Sequence, residues 1–431
     1  MNLAAIIVAA IALGAPSDAA VRADWAAHGN DADLRYLTLD AIAPGRREKW
    51  EHVMCYQVAA ASRGTQVDKQ IPQRVGQSNA WRIDLSHLHW GHAEYAKVLE
   101  NYPYAPKGSN PLAIRADWLI LQLADTRDSN AYYLLLYGEG KEPKTDKEFL
   151  QIWGVDFKNQ EGANYGWVEN GSQVSLQGTR FVQHWIGRAG RSVWQTKDMN
   201  HVVRNADPLE FLDGNFKYDG SEMIAQVPKA SARFNTRGSS QVYALGNGEG
   251  KIVNEAPVRL VEDHKRTLNQ TAIINHCSCV GCHIYGMNEP SINGLRQAIE
   301  AGEQLRVYSK DKQEQIDDFH LSDSGTTIQR NNQDFTSFVY ACNQLTTTQN
   351  ATEYLQALRD YRADLTLQRA ANELYCTPDD LKNSLGLASG NGIVLTSRIA
   401  GLAHGLRVPR DSWEEAYSEV KAMLDVWRAK K

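Results

Sequence analysis

No stretch of this 431-residue chain is long enough to span a bilayer: the longest apolar run, Leu3 to Leu13, has eleven residues, where a membrane helix needs about 20. An excess of one charge is lacking too. The 46 Lys and Arg stand against 51 Asp and Glu, a net charge of −5 with no basic run, which excludes a nucleic-acid or anionic-membrane surface. A phosphate-cradling Gly loop, H-E-x-x-H and a Ser-His-Asp order are all absent, so P-loop phosphoryl transfer, zinc proteolysis and triad hydrolysis have no footing. Internal repeats, low-complexity tracts and long linkers are missing as well. Cys and Met number only six each. What the chain does have is 42% hydrophobic residues with 11 Trp and 18 Tyr, enough for large packed interiors in two or three domains.

The run Leu3–Leu13 is followed by Gly14-Ala15-Pro16 and the small-residue sequence Ser17-Asp18-Ala19. That is the shape of a secretory leader cut after Ala19, although no Lys or Arg precedes the apolar run. The first Cys is Cys55, so no lipid-anchoring Cys stands at the cut. The expected mature protein is exported, periplasmic or extracellular, without an integral membrane span.

The densest chemistry lies in Asn275-His276-Cys277-Ser278-Cys279-Val280-Gly281-Cys282-His283, which contains C-x-x-C-H. Two thiols three positions apart can form thioethers with the two vinyl groups on one edge of a porphyrin, and the next residue then lies beneath the iron. Cys279 and Cys282 are thus the expected attachment points of one covalently bound haem c, and His283 its proximal ligand. A thioredoxin-type dithiol gains nothing from the trailing His. A zinc site drawing on Cys277, Cys279, Cys282 and a His lacks the second ligand pair of the usual spacing. The other thiols, Cys55, Cys277, Cys342 and Cys376, leave three disulfide pairings open. Cys342 with Cys376 is the most local, and Cys55 would tie the N-terminal part to the rest.

The pattern along the chain predicts an α+β protein. After the leader at 1–19, residues 20–165 read as mostly helical, with a helix over 46–62 carrying Trp50, Val53, Met54 and Val58 at helical spacing. A short strand is expected at 81–85. His87, His89 and His92 match no strong ligand spacing and read as turn and helix-start residues. Thr145-Asp146-Lys147-Glu148 is a capping box opening a helix that buries Phe149, Leu150 and Trp153. Residues 166–270 form a β-rich region, with strand candidates at 166–168, 192–194, 223–227 and 242–245, and a hairpin at Asn247-Gly248-Glu249-Gly250 returning through 251–253. His184, Arg188 and Arg191 sit near its start, the arginines reading as solvated surface. Residues 271–431 read as a helical cytochrome c-like domain that starts at the attachment motif, with helix starts at Thr377-Pro378-Asp379-Asp380 and Ser412-Trp413-Glu414-Glu415.

Several segments, namely Arg35-Tyr36-Leu37-Thr38-Leu39, Arg82-Ile83-Asp84-Leu85, Tyr102-Pro103-Tyr104, Arg115-Ala116-Asp117-Trp118, Asp219-Gly220-Ser221-Glu222-Met223-Ile224 and Asn275 to His283, resemble exported bacterial cytochrome c domain-containing proteins with a single C-x-x-C-H. The resemblance runs through most of the mature chain and implies haem binding and generic electron transfer, with no firm substrate. Where that pattern has Asn-Gly-aliphatic-Ser before the first haem Cys, this chain has Asn275-His276-Cys277-Ser278.

The sixth iron position separates the readings. A second strong protein ligand suits outer-sphere electron transfer, whereas an open position admits peroxide, oxygen or another small molecule. After the motif the only Met residues are Met287, one helical turn past His283 and therefore proximal, and Met423. His320 and Met423 are the candidate distal ligands, with Met199, Met223 and His276 upstream of the motif. The expectation is a monohaem c-type cytochrome passing single electrons to a redox partner protein. The alternatives are a haem c enzyme with an open iron, such as a peroxidase or other oxidoreductase, and a haem-based sensor or binding module. A di-haem peroxidase would show two C-x-x-C-H motifs, but some 270 residues before the motif exceed what a shuttle needs. Oligomeric state stays open.

Overall fold

The structure, a computed structural model, describes residues 15–127, 129–159, 165–170, 179–198, 218–256, 271–288, 308–320, 324–386 and 397–430. The apolar run Leu3–Leu13 and Met199 lie outside the described residues. The architecture is α+β, with helices at both ends and a β-rich middle.

The N-terminal region differs from the expectation by holding a sheet. Strands β1 (Leu34–Thr38), β2 (Gln73–Arg74), β3 (Ala80–Asp84) and β4 (Ala113–Arg115) lie in the order β2-β3-β1-β4, with β1 antiparallel to β3 and parallel to β4. All five residues of β1 are buried, Arg35 included; a strand covered on both faces shows no alternation to read. The helix expected over 46–62 runs from Arg47 to Ala60 and buries Trp50, Val53, Met54 and Val58. Ser17 is buried and bonded to Asp40, its N–H at 3.0 Å and its hydroxyl at 2.9 Å. A cut after Ala19 would remove both bonds. At Thr145 the hydroxyl accepts from the Glu148 N–H at 3.2 Å, the usual capping contact. The Glu148 carboxylate reaches back one residue further than a capping box requires, to the Lys144 N–H at 2.6 Å.

The middle region is a six-stranded antiparallel meander in chain order: β5 (Tyr165–Asn170), β6 (Thr179–Ile186), β7 (Ser192–Asp198), β8 (Gly220–Ser231), β9 (Thr236–Asn247) and β10 (Ile252–Val253). Side chains alternate across a sheet. The register, with Arg180 opposite Asp198, Asp198 opposite Gly220 and Glu222 opposite Leu245, therefore puts Arg180, Asp198, Glu222 and Tyr243 on one face. Phe181, Lys197, Ser221 and Met223 take the other.

One apolar cluster runs from Leu37 to Tyr361, across the boundaries expected at 165 and 270. The C-terminal helices build a second, from Leu365 to Leu424. A buried ionic knot joins the two: Glu373 pairs with Arg115 at 2.6 Å and Arg410 at 2.8 Å, and takes the Trp413 indole N–H at 2.8 Å. Lys229 on β8 ties the sheet to the end of the helix Arg47–Ala60. Its ammonium donates to the carbonyls of Ala59, Ser62 and Gly64 at 2.8–3.0 Å and to the Gln70 side chain at 3.1 Å. No helix among the described residues is long and apolar enough to cross a membrane.

Candidate functional site around the C-x-x-C-H turn

The motif sits on a short helix, Cys277–Cys282, whose entry is set by the residue before it. His276 has φ 65° and ψ −60°, and the Cys277 N–H donates across it to the Asn275 carbonyl at 2.8 Å, which makes a γ-turn. For a residue with a Cβ that backbone is strained by about 1–3 kcal/mol. The surroundings hold it there. The ring stacks on Tyr132 with centroids 4.1 Å apart, and Nε2 meets the Gln57 side-chain amide, 3.0 Å from its nitrogen and 3.4 Å from its oxygen. Nδ1 is buried with no hydrogen-bond partner. Burial pushes the imidazole down to about 3, so it is neutral.

Cys279 and Cys282, three apart on the helix, share a side of it. Cys279 is buried and Cys282 is half-buried. His283 follows at the helix end, its Nδ1 at 3.0 Å from the Gly286 carbonyl and its Nε2 at 3.1 Å from Glu222 Oε1. Both ring nitrogens therefore face oxygen acceptors. A carbonyl on one ring nitrogen is the contact that fixes the orientation of a metal-binding His and leaves the other nitrogen to ligate. Gly286 makes this possible with φ +91°, and a Cβ there would run into the Asn332 side chain. Asn332 in turn accepts from the Met287 N–H at 2.7 Å and donates to its carbonyl at 2.8 Å, so the loop after His283 is clamped to the helix Ser324–Asn343.

Glu222 escaped the sequence reading. Burial works to raise its pKa, but the charge and bond of His283, then Arg180 and a bond from Cys279, outweigh it and hold the carboxyl at about 2. Arg180 lies 3.8 Å away and is itself bonded to Asp198 at 2.9 Å. The only sequence signal was an acid inside a strand whose other residues from 220 to 227 are buried. Tyr243, 5.6 Å from the His283 ring, begins a run of rings through His276, Tyr132, Tyr133 and Tyr137 to Trp153, with centroids 4.1–6.1 Å apart.

The residues fit a haem c on its proximal side: two thiols at the right spacing and an imidazole oriented through Nδ1. The Glu222 carboxylate faces His283 Nε2, the nitrogen that would serve as ligand.

The other candidates scatter. Met423 is buried on the last helix, Arg410–Lys430, which packs on Pro378–Gly386 and Ser397–Gly401. The motif helix packs instead on Thr347–Arg362. His320 ends the helix Lys310–His320, whose Phe319 stacks on Phe181, on the sheet face opposite Arg180; the His320 side chain lies outside the described residues. Met223 is buried on the face away from Glu222. His184 is buried 3.1 Å from the Ser192 hydroxyl, and burial pushes it down to about 4. His87 and His92 pair with Asp84 and Asp33, and His89 ends the turn Leu85–Leu88. None of the six cysteines is in a disulfide. Cys342 lies within electrostatic reach of Cys55, while Cys376 packs on the C-terminal cluster.

Comparison with known proteins returns no match, whether to a protein-family model, a curated protein or a solved structure.

Proposed function

We propose that the chain is an exported monohaem c-type cytochrome that passes single electrons to a redox partner. The observation that carries this reading is the Nδ1 contact between His283 and the Gly286 carbonyl, directly after the helical turn bearing Cys279 and Cys282. In it, Cys279 and Cys282 would hold the haem through thioethers and His283 would ligate through Nε2. When bound, the haem supplies one-electron chemistry. The chain's own part is positioning: Asn332 fixes the loop, Gly286 presents its carbonyl, and that carbonyl holds the ring. Glu222 gives up its contact with Nε2 and stays as a charged neighbour paired to Arg180.

A second reading, an open iron serving a haem enzyme or sensor, draws support from the placement of Met423 on a helix that packs elsewhere. One measurement tests both. The full chain, expressed with the haem c maturation machinery, is examined by ferric and ferrous absorption with and without cyanide or carbon monoxide. Covalently retained haem, lost in Cys279→Ala and Cys282→Ala, is the expected result; no covalent haem overturns the proposal. A low-spin spectrum indifferent to added ligand marks the carrier, and a spectrum that shifts marks the open iron. The mass of the matured N-terminus tests the cut after Ala19.

A further inference from the structure

At the far end of the ring series from His283, Trp153 and Tyr137 form one wall of a cavity of about 340 Å³. Its lining includes Arg63, Lys141 and Arg191, and no acid among the described residues. Among the described residues none of these three cations is in an ion pair. Arg63 donates only to backbone carbonyls, of Tyr137 at 3.4 Å and His89 at 3.0 Å. Arg191 has its Nε buried without an acceptor. Of the acids close to Lys141 in the chain, Glu139 is bonded to Lys97 and Glu142 to Lys144. Beneath the rim the surface is apolar, from Trp153, Val227 and Ile152, and Ile152 is 44% exposed.

Guanidinium groups outside any described ion pair, lining a cavity with an apolar wall, are an arrangement that a carboxylate completes, because Arg recognises it through paired N–H bonds. The volume is at the small end for ligand pockets, which fits a small molecule rather than a polymer segment. We propose that this cavity binds a small amphipathic anion, an aryl or alkyl carboxylate, with its carboxylate on Arg191, Arg63 and Lys141 and its apolar body against Trp153 and Ile152. The proposal does not depend on the haem assignment. It gives the Arg191 Nε an acceptor where none is found among the described residues.

The test is calorimetric titration of the full chain with 4-phenylbutyrate, 4-phenylbutan-1-ol and acetate at low salt. Binding of 4-phenylbutyrate at least about tenfold tighter than the alcohol is expected, in line with charge-assisted bonding, with acetate undetectable. Arg191→Gln should weaken 4-phenylbutyrate about tenfold. Ile152→Glu, at an exposed position that leaves the fold intact, should weaken it comparably by placing a like charge at the mouth. Equal affinity for acid and alcohol, equal affinity for acetate, or wild-type binding in both variants would overturn the proposal.

Discussion

Two carboxylates in this molecule, one buried and one half-buried, have the same depressed pKa and opposite circumstances. Glu373, between the main core and the C-terminal helices, and Glu222, against the C-x-x-C-H turn, are each held at about 2. The shift alone therefore does not separate structure from function, since ion-pair networks perturb pKa values as active sites do. Hydrogen-bond accounting does separate them. Glu373 takes hydrogen bonds on both oxygens from Arg410 and on one from Trp413, with Arg115 in an ion pair at 2.6 Å, and the rings of Tyr104 and Tyr361 lie under the two guanidinium groups at 4.1 and 4.2 Å. Glu222 has one imidazole at 3.1 Å, a thiol, and an arginine at 3.8 Å that is committed to Asp198. The first carboxylate is tied to its place by two guanidinium groups and an indole; the second, beside the C-x-x-C-H turn, has fewer partners to lose.

The largest expected effect would come from opening the knot. Glu373→Ala leaves Arg115 and Arg410 buried and facing each other, which should destabilise by about 3–5 kcal/mol in urea unfolding monitored by circular dichroism. Lys229→Met should rank next, at about 2–3 kcal/mol, because its three carbonyl acceptors and Gln70 lose their donor in a buried place. Burial lowers the Lys229 pKa to about 7, so some of the ammonium's desolvation is relieved by its removal, and the loss falls short of that at Glu373.

Acid should act on both carboxylates in one window. Each has a folded pKa of about 2 against an ordinary 4.5, so below about pH 4.5 the unfolded chain binds protons that the folded chain refuses. Stability from these groups is fully present above about pH 4.5 and is lost as pH falls toward 2. Thermal midpoints measured between pH 5 and 3 should fall less steeply in Glu373→Gln than in the wild type. An unchanged slope would remove Glu373 from the set of charged, paired groups.

How much of this was legible beforehand follows from range. Local patterns were read well: the helix Arg47–Ala60, the Thr145 cap, and the strands β3, β7, β8, β9 and β10 all announce themselves within a few residues. The N-terminal sheet did not, because β1 is buried on both faces and β2 and β4 have two and three residues. The C-x-x-C-H spacing and the short helix that carries it are local too. Glu222, by contrast, is brought to His283 only by the sheet register, which is a long-range fact. The same holds for Arg191, expected as solvated surface and found half-buried in the lining of the cavity.

The smallest effect is the one that would decide the comparison. Glu222→Gln keeps the shape and an acceptor for His283 while removing the charge, and its partners are few. It should therefore destabilise the haem-free chain by only about 1 kcal/mol, well below Glu373→Gln in the same urea titration. A loss equal to that of Glu373→Gln would make Glu222 a structural carboxylate, and its place against Nε2 would then be a locked contact that the proximal His could not leave. A small loss leaves it a group that the fold can spare at that position, as a residue must be if His283 is to turn its Nε2 toward iron.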